Sequence, residues 1–350
     1  MSAVTDDRCD YQLEVGLADQ DLSAEPCGRP VWEDHDRCVW HAKVNGKPID
    51  VLEAARPKSG ETLDGAYLRE AELVGVDWLA GASLVGADFT DARLNGSDFS
   101  EADLMLATLT NASGINADFR GANLEGAIFK DADLRRATLE YARLYETILT
   151  NVHIGDDTAL GDRSVYEQAN VQPVLSNDNP LEAASWVYRQ LQQIYQQNAH
   201  PKLARQSYIQ EKDSRRRLAW DRTNYGEAIR WELSRWVMRY GSSSSRILLT
   251  SLTVIVVAAV LYPLTGGVEE LTGDQAVTFA FEDPGDASQW WIGTVLFKSL
   301  YFSVITFATL GYGDIRPVGE IARLIAGVES LFGALLAALL VFVLARNVTW

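Results

Sequence analysis

Residues Thr309-Leu310-Gly311-Tyr312-Gly313-Asp314, reading TLGYGD, end an apolar, aromatic segment and precede a long apolar run. The two glycines can adopt backbone conformations with φ > 0, so that successive carbonyl oxygens line up. A ladder of such carbonyls can take the place of water around a dehydrated cation. Tyr312 is large enough to brace the loop against surrounding aromatics, and the Thr309 hydroxyl can add an oxygen at the inner end. Leu310 contributes its carbonyl whatever its side chain. Gly-Tyr-Gly also occurs in ordinary turns, so the flanks decide the reading.

Two apolar runs are long enough to span a bilayer. Ile247–Leu264 is 18 residues without a charge, and Ile321–Leu344 is 24 residues interrupted only by Arg323 and Glu329. At helical rise they cover about 27 and 36 Å, against a hydrocarbon core of roughly 30 Å. Trp290–Ala308 is a shorter apolar stretch that stops at TLGYGD, as a re-entrant helix would. Non-helical backbone at membrane depth survives only where it lines an enclosed or wet cavity. Span, short helix, glycine loop and span therefore form a coherent pore unit over residues 246–346.

From Tyr301 to Arg323 the chain resembles the pore of two-span bacterial potassium channels. Tyr301-Phe302-Ser303 stands where the family has two aromatics and a serine in its pore helix. Pro317 follows the filter aspartate by three residues, Arg323 opens the inner helix, and Gly333 falls on the hinge glycine of the gate. The resemblance implies that Thr309, Leu310, Gly311, Tyr312, Gly313 and Asp314 bind permeant K+. One departure is Ile305, where some members carry a carboxylate paired with the filter aspartate. This bears on inactivation more than on conduction.

A filter needs four strands and one chain supplies one, so a homotetramer is expected. No arginine-rich span is present, so no intrinsic voltage sensor is expected. Glu329 is an intramembrane carboxylate four residues before Gly333. It can sit behind the filter bonded to the pore helix, face the cavity and attract cations, or make a plain structural hydrogen bond.

Basic residues set the orientation. Arg215, Arg216, Arg217, Arg222, Arg230, Arg235, Arg239 and Arg246 precede the first span, and Arg346 follows the second. The segment Thr265–Phe297 carries Glu269, Glu270, Asp274, Glu282, Asp283 and Asp286 and no Lys or Arg. A multi-pass protein of the cell membrane is expected, with both termini cytoplasmic and the acidic segment external. Acids there would concentrate cations, or simply solvate the surface. No signal peptide precedes the body, so the first span is expected to serve as signal anchor.

The chain of 350 residues has a formal net charge of −17. An acidic, lysine-poor surface points to a salt-adapted, halophile-like proteome and argues against nucleic acid as a partner.

Residues 61–156 repeat with period five, as in Ala87-Asp88-Phe89-Thr90-Asp91 and Ala92-Arg93-Leu94-Asn95-Gly96. Leu or Phe holds the centre at 84, 89, 94, 99, 104, 109, 119, 124, 129, 134, 139, 144 and 149, with alanine mostly two before. An earlier block centred on Leu63, Leu68, Leu73 and Trp78 is offset by one residue near 79–81, and Gly114 breaks the pattern. Period five fits neither helix nor plain strand; it fits a solenoid whose central residue and alanine point inward. This is the pentapeptide-repeat pattern, which that family folds as a right-handed quadrilateral β-helix. Nineteen repeats at four per coil give about five coils and a rod roughly 23 Å long. A scaffold or sensor is the favoured role, a DNA-mimicking rod the alternative.

Cys9, Cys27, Cys38 and His41 fall in the small segment 1–55. Three thiolates and an imidazole make a complete structural Zn2+ set, although the spacings match no standard finger. The other reading is buried thiols and a surface histidine. The segment is expected to cap the open end of the solenoid.

A linker is expected over 157–178 and a helical connector over 179–240. Pro180 and Pro201 suit first-turn positions, and Leu181–Asp213 suits two antiparallel helices resembling one tetratricopeptide unit. Glu227–Tyr240 sets Ile229, Leu233, Trp236, Val237 and Tyr240 on one side of an amphipathic helix that can lie at a membrane interface and meet anionic lipid. Gly241 to Ser245 reads as a flexible join. The fold class is thus multidomain: a cytoplasmic β-helix, an α-helical connector and an α-helical two-span pore.

No nucleophile–base pair, phosphate loop or catalytic carboxylate pair stands out, so enzyme activity is not expected. The expected function is a homotetrameric potassium channel regulated by its N-terminal domain through an unidentified cytoplasmic partner or ligand. No domain follows the second span before Trp350, so control is expected from upstream. A non-selective cation channel and a non-conducting membrane scaffold are the alternatives.

Overall fold

The structure, a computed structural model, describes residues 8–13, 16–17, 20–21, 26–58, 61–161, 164–272, 275–281 and 289–348. Asp274, Glu282, Asp283 and Asp286 of the acidic segment lie outside the described residues. The chain divides into two compact units, Met1–Ala228 and Ile229–Trp350.

The first unit is organised by the five-residue repeat. Parallel bridges join residues 20 apart, as in Ser83↔Asp103, Asp103↔Asn123 and Asn123↔Arg143. Four repeats therefore make one coil. Each central residue donates its amide to the next coil, Leu84 to Asp103 and Phe89 to Thr108, both at 2.7 Å. A turn follows every centre, closed by bonds such as Ala87 N–H to Leu84 O at 3.0 Å. The residue two after the centre has φ near +60° at nearly every corner, including Asp91, Asn111, Arg136 and Tyr141. A positive φ at the third position of a hydrogen-bonded turn is the type II signature. The inward side chains stack coil on coil: Phe99 lies 5.3 Å from Phe119, with the rings 10° from parallel.

The register differs from the sequence reading at one place. Leu79, fully buried, holds the centre assigned to Trp78, and Trp78 packs its edge against Trp40. The extra residue therefore falls before Leu79, and coils across it are 21 residues long (Tyr67↔Asp88, Glu72↔Arg93). A second 21-residue coil, Thr138↔Ala159, carries the solenoid past residue 156. At the central position of Gly114, the facing Leu134 side chain would lie 3.1 Å from an added Cβ.

Both ends of the stack are closed by hydrogen bonds. Two short strands, β1 (Gly16–Leu17) and β2 (Gln20–Asp21), and the helix α1 (Ile49–Ala54) belong to the N-terminal segment. From that segment Trp40 O accepts Tyr67 N–H at 2.7 Å, and Gly46 N–H donates to Arg69 O. At the other end, the Asn198 side chain donates to Val152 O and accepts from Ile154 N–H.

Residues 164–178 are not a free linker. Helix α2 (Val165–Ala169) buries Tyr166, whose hydroxyl donates to the fully buried Glu125 at 2.9 Å. Arg143 and the amides of Val174 and Leu175 bind the same carboxylate. A carboxylate on the flank of the solenoid thus holds the segment that covers it. Helices α3 (Pro180–Gln197) and α4 (Pro201–Asp221) each begin at their proline. They pack antiparallel, with Asn179 against Asp221 and Glu182 against Arg222. Helix α4 runs eight residues beyond the expected Asp213, and in the added turns Arg217 pairs with Glu167 of α2.

Helix α5 (Tyr225–Met238) leads to the second unit, which holds α6 (Ser244–Leu264), the hairpin β3 (Val268–Thr272) and β4 (Gln275–Phe279), α7 (Gln289–Phe307), β5 (Ile315–Pro317) and α8 (Glu320–Val348). The expected flexible join at 241–245 is folded. Tyr240 and Gly241 reverse the chain with φ of 58° and 77°, and the buried Ser242 hydroxyl bonds to Arg239 O.

The corners generate a test by thermal unfolding of the whole chain. Gly126 (φ +68°) would place an added Cβ 2.7 Å from Leu106 and 2.8 Å from Leu175. Gly126→Ala should cost more than about 1 kcal/mol. Tyr141 holds φ +62° at an exposed corner, so Tyr141→Gly should gain about 0.5–1 kcal/mol.

Candidate functional site

Helices α6, α7 and α8 share a core in which Tyr262, Val295, Phe302, Ile305 and Ala322 are buried. Three helices, Ser244–Leu264, Trp290–Phe307 and Glu320–Arg346, are long and apolar enough to cross a membrane. Length alone therefore does not separate α7 from a span. The strand pairing shows which ends lie together. β3, just after α6, pairs antiparallel with β5, just after TLGYGD (Val268↔Pro317, Glu270↔Ile315). Gly266 sits so close to Val318 that an added Cβ would lie 2.5 Å from its carbonyl oxygen. The end of α6, the exit from TLGYGD and the start of α8 therefore lie together.

The far end of α7 lies deep. An added Cβ at Gly333 would be 2.0 Å from the carbonyl oxygen of Phe307, the last residue of α7. Gly333 is 13 residues into α8, about 20 Å along its axis. Helix α7 thus descends about half the bundle, and residues 309–314 climb back. Gly333, read as a gate hinge, is here a contact glycine that lets two backbones touch.

Within TLGYGD the sign of φ alternates: Thr309 (+55°), Gly311 (+49°) and Gly313 (+80°) are positive, Leu310 and Tyr312 are not. Alternation of this kind turns successive carbonyls to one side. Among the described residues, no donor bonds to the carbonyls of Thr309 through Gly313. The Thr309 hydroxyl bonds to Ala308 O at 2.7 Å. Tyr312 is 67% exposed and Leu310 is also exposed, so bracing of Tyr312 by aromatics is not supplied by its own chain.

Asp314 has a partner that sequence reading missed. Tyr301 O–H donates to its Oδ2 at 2.8 Å. Tyr301 thus supplies Asp314 with a partner, while Ile305 is buried against the core. The aromatic was noted from the sequence, but its pairing over 13 residues leaves no local signal.

Glu329 faces the other helices. Its carboxylate accepts from Tyr262 O–H of α6 at 2.5 Å and from Ser303 Oγ–H of α7. Ser303 Oγ also lies 2.9 Å from Ile255 O. One buried group on α8 therefore ties all three helices together. Of the three placements open from the sequence, this is the one bonded to α7.

The acidic segment is partly neutralised. Glu269 pairs with Arg316 at 2.7 Å and Glu270 with Lys298 at 2.6 Å. Both cations come from outside Thr265–Phe297, which is why the segment's own composition hides them. At the opposite end, Val237 and Met238 of α5 pack on Ile247, Leu336 and Val343. Arg346 donates to Tyr240 O, and its Nη1 lies 3.1 Å from where a Gly241 Cβ would sit. Ile229, Leu233 and Trp236 on α5 remain exposed.

In the first unit the structure brings Cys9, Cys27, Cys38 and His41 together, their ligand atoms all within 4.8 Å of one another. Cys9 and Cys27 lie on adjacent extended segments (Cys9 N–H to Arg29 O, Cys27 N–H to Tyr11 O). Cys38 and His41 share one turn (His41 N–H to Cys38 O). Tyr11 stacks on the His41 ring, centroids 4.1 Å apart. The hydrogen bond with Cys27, together with burial, pushes the Cys38 thiol up to about 11.

Residues 249–349 match the ion channel family, and residues 79–111 and 115–152 match pentapeptide repeats in eight copies. The C-terminal part is therefore an ion channel domain of a membrane protein, joined to a pentapeptide-repeat segment. Among solved structures, a pentapeptide repeat protein (Rfr23) from the cyanobacterium Cyanothece 51142 is 32% identical over 27% of this chain and 63% of that one, with a TM-score of 0.26. A pentapeptide repeat protein of the Arabidopsis thaliana thylakoid lumen is 27% identical over 41% of this chain and 86% of its own, with a TM-score of 0.22. This chain thus spans less than two thirds of the length of the Cyanothece protein. No curated protein matches the chain.

The Glu329 node predicts a graded series. Glu329→Ala leaves the buried Tyr262 hydroxyl without its acceptor, while Ser303 can still turn to Ile255 O, and should cost about 2–4 kcal/mol. Glu329→Gln, which can still bond both, should cost less than half as much. The midpoint of thermal unfolding in detergent checks the order.

Proposed function

We propose that the chain is one subunit of a homotetrameric, potassium-selective channel of the cell membrane. The observation that carries this is the re-entrant path: α7 descends to Gly333, and TLGYGD returns to β5 with alternating φ and unengaged carbonyls. Permeant K+ is held by the backbone of Thr309 to Gly313, with Asp314 fixed by Tyr301 at the outer end. The exposure of Leu310 and Tyr312 in a single chain fits a filter completed by neighbouring copies. Selection comes from the number and field of carbonyl dipoles that replace the hydration shell.

Helices α6 and α8 span, α7 does not, and both termini are cytoplasmic. Trp236 and Leu233 of α5 enter the interface beside anionic headgroups met by Arg230, Arg235 and Arg246. Gly333 serves as a hinge as well as a contact. The pentapeptide segment is a right-handed, four-sided, cytoplasmic β-helix that acts as scaffold or sensor for a partner or ligand, and α5 carries its state toward the gate. The activity is passive transport.

Flux from liposomes holding the purified protein tests the reading. Gly311→Ala or Tyr312→Ala should abolish potassium flux while leaving tetramers detectable by cross-linking. Wild-type-like flux in either variant, or equal sodium and potassium flux in the unaltered protein, would overturn it. Tyr301→Phe, which removes the bond to Asp314, should leave selectivity intact and shorten open dwell times in single-channel records.

A further inference from the structure

We propose that Cys9, Cys27, Cys38 and His41 form a closed structural zinc site that pins the N-terminal segment to the first coil of the solenoid. The argument rests on geometry. A tetrahedral centre with bonds of about 2.3 Å to sulfur and about 2.0 Å to nitrogen separates its ligand atoms by about 3.5–3.8 Å. The structure has Cys27 Sγ 3.7 Å from Cys38 Sγ, Cys9 Sγ 3.5 Å from His41 Nδ1, and Cys38 Sγ 3.3 Å from that same nitrogen. A disulfide would hold its sulfurs at about 2.05 Å, so Cys27 and Cys38 are spaced for a shared ion. Three of the four residues are buried and all four ligands come from the protein. That makes a structural centre with no open position for a substrate.

The surroundings fit the same ion. His41 presents Nδ1 to the cysteines, and its Nε2 lies 3.0 Å from Asp64 O. A proton on Nε2 leaves the Nδ1 lone pair free, the tautomer a metal-bound imidazole requires. Asp64 belongs to the first coil, so the centre is bonded directly to the solenoid. Three thiolates around Zn2+ leave one net negative charge. Lys47, fully buried, bonds to the carbonyls of Trp40 and Tyr67, and among the described residues none of its bonded partners is a carboxylate. Its ammonium supplies the balancing charge at the same end of the stack. The occupant also explains why a segment with so short a helix of its own holds a defined structure, since binding energy at such a centre is folding energy.

The full chain, purified in detergent under reducing conditions without chelator, should carry one zinc ion per chain by elemental analysis. Exchange with Co2+ should give the intense visible bands of a tetrahedral site and thiolate-to-cobalt charge transfer. Cys38→Ser and His41→Ala should lose the metal and speed proteolysis near the N-terminus, while potassium flux is a separate readout. The cobalt spectrum of the unaltered chain is an independent measurement that does not depend on how those variants fold. Absence of metal after reconstitution with Zn2+, iron in its place, an octahedral cobalt spectrum, or a Cys27–Cys38 disulfide in the purified chain would each overturn the assignment.

Discussion

Every buried backbone carbonyl needs a donor, and the two units of this chain treat that requirement in opposite ways. In the solenoid, each coil's amides and carbonyls are consumed by the coils on either side, which leaves only the two terminal edges to be covered. Trp40 and Gly46 cover one edge, and the Asn198 side chain the other. In the channel domain, the carbonyls from Thr309 to Gly313 are kept out of any such ladder. Holding a loop with free carbonyls at depth requires that everything behind it be rigid, and most of the packing in the second unit serves that end.

Two contacts set the depth. Phe307 O comes so close to Gly333 that no side chain would fit there, and α7 ends at that contact. The Glu329 carboxylate then binds a hydroxyl from α6 and another from α7, which fixes the rotation of α7 about its axis. A buried carboxylate without those donors would be a heavy liability; with them it is a three-way joint. At the β3–β5 end, the Glu269–Arg316 and Glu270–Lys298 pairs bind the hairpin to the segment after TLGYGD and to α7.

The features legible in the sequence were those with local form. TLGYGD, the apolar runs, Pro180 and Pro201, and the five-residue period all announce themselves within a few residues. What escaped was set by partners far along the chain. Tyr262 and Glu329 are 67 residues apart, Glu269 and Arg316 are 47 apart, and Glu125 meets Val174 across 49. No window of sequence contains both members of such a pair, so 164–178 read as linker and Glu269 as a free acid. Trp78 was misassigned for a different reason: it falls five residues after Leu73, where an unbroken period would put a centre. The extra residue comes before Leu79, so Leu79 takes the centre and Trp78 packs at the edge against Trp40.

The 21-residue coils carry a consequence for folding. A perfectly periodic stack is degenerate, because a segment displaced by one full turn presents nearly the same side chains to its neighbours. Tyr67↔Asp88 near one end and Thr138↔Ala159 near the other depart from the 20-residue spacing, and Gly114 leaves a gap in the column that only Leu134 is placed to fill. These three irregularities act as keys. A chain assembled one rung out would set a bulge against a regular coil and a leucine against a leucine where the native stack has a glycine. The imperfections of the repeat thus select a single alignment out of many that its regular part would accept.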